Sequence, residues 1–452
     1  MRSIDNYIEI IRNGNDNEAI IIDNKSYSYK ALYLRIDFYY NKLLEKGIRK
    51  GQKVIILGDY SFESISVFFA LAKNSNIIIP IASDNKNENQ LKIHESKPNW
   101  LISFSDFSIK LINEDLDSQK LLLDLAKDNI PGLILFSSGT TGKPKVMLHS
   151  LDNLFNSYLN KRKRNLTFLV FLMFDHIGGI NTLLNILSMN AKLVIPNTRE
   201  PDKICRLIQD NKINILPASP TFLNLILISK AYNNYDLSSL IMITYGTEPM
   251  PSNLLLRLRN FFPKVKFLQT FGTSETGIIK TSSKSSASTL MKFDDPNQKH
   301  KIVDGELFLK SKTQVLGYLN YNNDCFTEGG WFKTGDLVEE TSDGFIKIIG
   351  RKNEVINIGG EKVNPLEVEN LILNLDYVSD CTVYSNVHPI MGQIMIARIV
   401  SNYNLTEKEL KKNIRMYCKN NIEKYKIPSK FIIVRDFKYN NRFKKIRKYD
   451  KN

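Results

Sequence analysis

LILFSSGTTGKPKVMLHS (133–150) decides how the rest of this 452-residue chain is read. A short apolar run with strand character leads into Ser137, Ser138, Gly139, Thr140, Thr141, Gly142, Lys143, Pro144 and Lys145. Glycines let backbone N–H groups approach an anion, hydroxyls donate further hydrogen bonds, and lysines add charge, so the string reads as a polyphosphate cradle. It does not fit the G-x-x-x-x-G-K-[ST] pattern of P-loop ATPases, because Gly139 and Gly142 are too close and Pro144 follows Lys143. A flexible turn between strands would suit an isolated Gly-Thr-Thr-Gly better than this longer string.

Outward from it, short apolar runs alternate with helical patterns. VIIL (54–57) precedes SFESISVFFALAKN, whose spacing suits a helix, and IIIPIA (77–82) reads as a buried strand. WLISF (100–104), FLVFL (168–172), KLVIP (192–196), INILPA (213–218) and LIMITYG (240–246) repeat the theme. Strands separated by helical segments indicate layered parallel α/β structure. Residues 280–300 are polar and Ser/Lys-rich and read as a surface loop. GELFLK, TQVLGYL, GWFKTGDLVEE and GFIKIIG then suggest an antiparallel or barrel-like section. Beyond Arg351 comes a second α/β unit of roughly a hundred residues, a size suited to a separate small domain. The expected fold is therefore α/β, with a large N-terminal domain (1–352) of α/β layers plus a barrel-like section, and a small mobile C-terminal α/β domain (353–452).

The composition is globular, at 42% hydrophobic and 24% charged residues. No apolar run approaches the ~18 residues of a spanning helix, so no integral membrane segment is expected. The start, MRSIDNYIEIIRNGNDN, lacks the layout of a secretory signal. Cys205, Cys325, Cys381 and Cys418 lie far apart with no CxxC pair, which suits free thiols in a cytoplasmic protein. The net charge of +15 invites a nucleic-acid reading, but the lysines are spread along the chain without a long basic stripe until its end. A general compositional bias, with no nucleic-acid partner, is the better reading.

The 133–150 string resembles the phosphate loop of the acyl-adenylate-forming superfamily: acyl-CoA synthetases, peptide-synthetase adenylation domains and luciferases. Further motifs follow in that family's order. TFGTSETG (270–277) matches its aromatic-Gly-x-[ST]-Glu motif, GWFKTGDL (330–337) its aspartate motif, and GRKNEVINIGGEKVNPLEVE (350–369) its interdomain hinge. SYSYKALY and the stretch from GQKVIIL to IIIPIA resemble its opening segments, so the resemblance spans essentially the whole chain. It implies that Phe271 and Gly272 meet adenine, that Glu275 holds Mg²⁺ with Ser274 nearby, and that Gly246, Thr247 and Glu248 lie along the adenine edge. It further implies that Asp336 accepts hydrogen bonds from the ribose hydroxyls and that Arg351 contacts ribose or phosphate. FKYNNRFKKIRKYD (437–450) resembles the lysine motif, which makes Lys445 the catalytic lysine at the α-phosphate. Lys444 stands where the family has glycine, the usual Pro-x-Thr is absent, and Asn353 replaces the usual hinge Asp or Lys.

The implied reaction has two halves. A carboxylate attacks the α-phosphorus of Mg·ATP and pyrophosphate leaves, so catalysis is positioning and charge with no protein nucleophile. The small domain then rotates about Asn353, withdrawing Lys445 and presenting Gly359 and Gly360 to a pantetheine arm. FLMFDHIGGINTLL (171–184) resembles the motif lining the acyl pocket. His176 followed by Ile-Gly-Gly, which includes the candidate Gly178, resembles the His-x-x-Gly version of acyl- and aryl-CoA ligases. Phe174-Asp175 instead matches the amino-acid version, in which the aspartate pairs with the substrate amine. The expected function is an ATP-, Mg²⁺- and CoA-dependent ligase for a small carboxylic acid. The alternatives are transfer to the phosphopantetheine of an acyl carrier protein and, in another class, a degenerate nucleotide- or acyl-binding protein.

Overall fold

The computed structural model describes residues 2–82, 85–104, 106, 108–115, 117–138, 143–388, 392–401, 405–435 and 439. Two seven-stranded sheets and one six-stranded sheet dominate the first 350 residues. The first sheet runs in the order Lys266–Gln269, Met242–Tyr245, Ile215–Ala218, Thr167–Leu169, Lys192–Val194, Glu18–Ile22, Lys25–Ser28. Only its final pair is antiparallel. The second runs Gly317–Tyr318, Pro144–Ser150, Gly132–Ser138, Ile77–Ile81, Lys53–Leu57, Trp100–Ser103, Ser108–Leu111, with a parallel centre and antiparallel edges. The apolar runs read from the sequence are these parallel strands, buried on both faces as crossover helices require.

One core cluster draws on both sheets, from Ile20, Phe168 and Leu193 to Val54, Ile78 and Leu133, and takes in helices Ser3–Arg12, Phe62–Lys73 and Ile177–Ser188. Phe62–Lys73 is apolar nearly all round, as a helix enclosed on every side must be. Its start is set by a capping box between Ser61 and Ser64.

The six-stranded sheet is antiparallel, in the order Thr281–Ser283, Met291–Phe293, Ile346–Arg351, Phe332–Glu340, Glu306–Ser311, Gln298–Val303. Its order has two distinct ends and does not close on itself. Three of its strands lie in or begin in 280–300, which corrects the surface-loop reading. Thr281 pairs with Phe293, and Met291 is fully buried beneath the sheet. Outward-facing Ser and Lys on half-exposed strands give that stretch a loop-like composition.

The last hundred residues form their own core around Ile356, Val368, Val383, Ala397, Ile414 and Phe431. A three-stranded sheet, Asp380–His388, Gly392–Val400 and Lys430–Val434, is covered by helices Pro365–Ile372 and Glu407–Asn421. The Asn224 amide donates to the Ser379 carbonyl (3.2 Å) and the Asn253 amide to the Leu373 carbonyl (2.8 Å), which joins this unit to the larger one. Among the described residues, no helix is long and apolar enough to cross a membrane.

Candidate active site

Strands Gly132–Ser138 and Pro144–Ser150 are antiparallel partners, with Ser137 opposite Lys145 and Ser138 opposite Pro144. The cradle string is therefore the connection of a hairpin. Gly139, Thr140, Thr141 and Gly142 lie outside the described residues. On its exit side, the Val146 N–H donates to Asn320 Oδ1 (2.8 Å), and Asn320 Nδ2 donates to the Pro144 carbonyl (3.0 Å). Lys145 Nζ stands 3.8 Å from the Tyr321 ring centroid, a cation held over an aromatic face.

Glu275 and Ser274 occupy the turn of the hairpin Phe271–Thr273 and Gly277–Ile279. Thr273 Oγ1 accepts from the Thr276 N–H (3.1 Å) and closes that turn. Glu275 Oε1 accepts from the Tyr318 hydroxyl (2.9 Å), and the Glu275 carbonyl accepts from the Val315 N–H (2.8 Å). His149 is fully buried and its ring faces the backbone of Thr313 and Ser274, though neither nitrogen makes a hydrogen bond of good geometry. Burial pushes this imidazole down to about 4, so it is neutral at pH 7. Phe271 is largely committed to the core of the antiparallel sheet, beside Phe293 at 5.6 Å, with 8% of its surface exposed.

Parallel strands Met242–Tyr245 and Lys266–Gln269 end side by side, Tyr245 opposite Gln269. Gly246–Thr247 and Thr270–Gly272 therefore leave the sheet together at its carboxyl edge, where open α/β sheets bind ligands. A Cβ on Gly246 would sit 2.6 Å from Thr270 Oγ1, so only glycine permits that approach. Thr247 has φ +72°, a strained conformation for a β-branched residue. Glu248 Oε1 accepts from the Thr221 N–H (2.8 Å) in the first turn of helix Pro220–Ser229.

Asp336 lies directly across the ladder from Arg351. The Arg351 Nε to Asp336 Oδ1 distance is 2.8 Å, and Arg351 Nη1 also donates to the Thr334 carbonyl (3.0 Å). The aspartate is 3% exposed, and its second oxygen, Oδ2, has no hydrogen-bond partner. Burial pushes the carboxyl up to about 6, against the opposing pull of Arg351. A buried carboxylate with one paired and one unmet oxygen is an acceptor waiting for a donor.

His176 caps helix Ile177–Ser188, its Nδ1 accepting from the Gly178 N–H (3.0 Å). Its neighbour Asp175 already has an ammonium partner: Lys92 Nζ is 3.1 Å from Asp175 Oδ2, and both side chains are under 5% exposed. Asp59 and Arg199 brace the same segment. Asp59 Oδ1 accepts from the Phe174 N–H (2.9 Å), Arg199 donates to the Phe171 carbonyl (2.6 Å), and the two pair with each other (2.9 Å). Farther on, Asn353 is exposed within the 3₁₀ turn Lys352–Glu354. Gly359 and Gly360 form the tip of the hairpin Ile356–Ile358 and Glu361–Val363, with open space around both. Lys445 lies outside the described residues.

The family model for the AMP-binding enzyme matches residues 9–320, and that for the AMP-binding enzyme C-terminal domain matches 367–444. This chain belongs to the AMP-binding enzyme family. It is an AMP-forming acid–thiol ligase. The 2-succinylbenzoate–CoA ligase of Bacillus cereus (strain AH820) is 24% identical over 464 residues, covering 96% of this chain and 95% of its own. Among solved structures, the o-succinylbenzoate CoA synthetase of Bacillus subtilis, in complex with its acyl-adenylate intermediate, superposes with a TM-score of 0.79 at 21% identity. The match covers 99% of this chain and 97% of that one. ATP-bound MatB from Rhodopseudomonas palustris gives 0.80 at 19% identity, covering 98% and 97%.

Tyr318, Asn320, Lys92, Asp59 and Arg199 are the ligase's contacts that local pattern does not single out. TQVLGYL carries Tyr318 but reads only as a strand-like piece. The Lys92–Asp175 and Asp59–Arg199 pairs join residues 83 and 140 positions apart, beyond the reach of any local spacing.

Proposed function

We propose that this AMP-binding enzyme activates a small non-amino carboxylic acid and passes the acyl group to CoA in the cytoplasm. The observation that carries the acid class is the buried Asp175–Lys92 pair. Asp175 is 4% exposed, and its Oδ2 faces the Lys92 ammonium, which Glu88 shares at 2.8 Å, so only the buried Oδ1 is without a partner. Here an internal lysine supplies the ammonium, and displacing it would strand a buried charge at a cost of about 3–5 kcal/mol. His176, by capping the helix beside Gly178, supports the His-x-x-Gly alternative. The four free cysteines support the reducing compartment.

In the roles we assign, residues 137–142 with Lys145 receive the polyphosphate, and Gly246, Thr247, Glu248, Phe271 and Gly272 wall the adenine. Asp336 Oδ2 takes ribose hydroxyls while Arg351 holds the other oxygen. Among the described residues no three or more His, Cys, Asp or Glu side chains cluster to hold a metal alone. Glu275, tied through Tyr318 to strand Pro144–Ser150, fits Mg²⁺, which binds through one or two carboxylates plus substrate phosphates, while Glu95 faces Lys143 on the same side (4.0 Å). When bound, that ion supplies charge neutralisation on the phosphates. Lys445 adds positive charge at the α-phosphate as the acid's carboxylate attacks. A turn about Asn353, at the boundary between 1–352 and 353–452, then exchanges Lys445 for the Gly359–Gly360 tip.

The test is ATP–pyrophosphate exchange with fatty, aryl and amino acids, followed by CoA or acyl carrier protein as acceptor. Exchange with fatty or aryl acids and thioester formation on CoA are expected. Exchange supported only by amino acids would overturn the acid class. The charge of +15 would suit an acidic carrier, and product formed on carrier protein but not on CoA would replace CoA as the acceptor.

A further inference from the structure

The turn that carries Glu275 is tied to the phosphate-cradle sheet by a two-residue strand. Gly317–Tyr318 pairs antiparallel with Pro144–Ser150, Gly317 opposite Leu148 and Tyr318 opposite Met147. The Leu316 N–H donates to the Leu148 carbonyl (2.7 Å) and the Leu319 N–H to the Val146 carbonyl (2.9 Å), which extends the ladder on both sides. Three residues before Tyr318, the Val315 N–H holds the Glu275 carbonyl (2.8 Å). The Tyr318 side chain then reaches the Glu275 carboxylate itself, at 2.9 Å, from a ring that is 6% exposed. Backbone and side chain of one glutamate are thus both anchored to the edge strand of the sheet that carries the cradle.

A glutamate in a turn is costly to order, because fixing its side chain gives up rotamer freedom. A hydrogen bond to one carboxylate oxygen offsets part of that cost in advance and leaves the other oxygen available. We infer that Tyr318 is a positioning residue that holds the Glu275 carboxylate, fixed to the strand Pro144–Ser150, for a divalent ion arriving with ATP. The assignment rests on Glu275 being the Mg²⁺ ligand proposed above. In this role Tyr318 acts through Glu275, to which its hydroxyl donates. Its ring also packs beside Phe326 (6.4 Å) and beneath the Lys145 ammonium (5.4 Å), so a purely structural role must be separated by the test.

Tyr318→Phe retains the ring and the strand and removes only the hydroxyl. Electron paramagnetic resonance titration of Mn²⁺, with α,β-methylene-ATP present, measures ion binding without turnover in four proteins: wild type, Tyr318→Phe, Glu275→Gln and the double variant. Loss of a hydrogen bond to a charged group should weaken Mn²⁺ about tenfold in Tyr318→Phe. Binding of the nucleotide in EDTA should stay unchanged. Glu275→Gln should weaken Mn²⁺ further, and the double variant should match Glu275→Gln. Wild-type Mn²⁺ affinity in Tyr318→Phe, with Glu275→Gln weakened, overturns the positioning role and leaves the metal ligand standing. Wild-type affinity in Glu275→Gln removes the metal assignment and the positioning role with it. Additive losses in the double variant also overturn the proposal, because Tyr318 would then act by another route.

Discussion

Two glycine pairs in this enzyme look alike on paper and stand in opposite surroundings. Gly178–Gly179 opens helix Ile177–Ser188 in the large domain, between buried side chains, and a Cβ on Gly179 would collide with the Met173 carbonyl oxygen and press on the Tyr60 hydroxyl. Gly359–Gly360 crosses the tip of an exposed hairpin with φ of +61° and +97°, and a Cβ added to either would meet nothing within 4 Å. The first pair is glycine because its neighbours leave no room. The second is glycine because a two-residue hairpin turn needs positive φ at both positions, and space around it is left open. Space kept open at a turn tip is what the passage of a pantetheine arm would need, whereas Gly179 is accounted for by packing alone.

Substitution at each pair should separate the two kinds of constraint. Gly179→Ala must displace a backbone carbonyl, and we expect a stability loss of about 3 kcal/mol, with both half-reactions falling together as folded enzyme is lost. Urea unfolding measures it, and a midpoint within error of wild type would contradict the packing account. Gly360→Ala should cost only about 1 kcal/mol, the penalty of a positive φ for an L-residue. Its pyrophosphate exchange should be unchanged, while thioester formation from supplied acyl-adenylate drops about tenfold, the order of a misplaced reacting group. Loss of both activities in equal measure would remove the distinction between the pairs.

A smaller effect, set by pH, sharpens the contrast between the buried Asp336 and the open loop. The Asp336 carboxyl is raised from 3.8 to about 6, chiefly by burial. Below about pH 4 it is neutral folded or unfolded and contributes nothing. Between about 4 and 6 the unfolded chain ionises first, so stability falls as pH rises. Above about 6 the folded state carries a constant cost of about 3 kcal/mol. The ribose reading needs the ionised form, so the KM for ATP should climb as pH falls through about 6, by at most about tenfold per unit. Asp336→Asn should flatten that limb. A limb that persists in this variant would assign the titration to another group. Gly360→Ala should leave it in place.

Much of this fold and site is legible in the sequence. The parallel strands announce themselves as continuous apolar runs, and the motifs proposed to meet the nucleotide are contiguous strings, with Asp336 and Arg351 brought opposite by one hairpin ladder. The polar strands of 280–300 escape such a reading because their outward faces are written in Ser and Lys, with one fully buried residue, Met291, to betray them. The Tyr318–Glu275 and Lys92–Asp175 contacts are invisible for a different reason: tertiary folding, not spacing, brings their partners together across 43 and 83 residues. The two glycine pairs belong to that second class, since only the surroundings tell crowding from reserved space.

The division of labour between the large-domain site and the small domain is tested most directly by running the two half-reactions separately on Lys445→Ala. Removal of the lysine should abolish acid-dependent pyrophosphate exchange, by about 100-fold or more, as expected for a charge aimed at the transition state. Thioester formation from supplied acyl-adenylate should stay largely intact. Equal loss in both half-reactions would contradict the account.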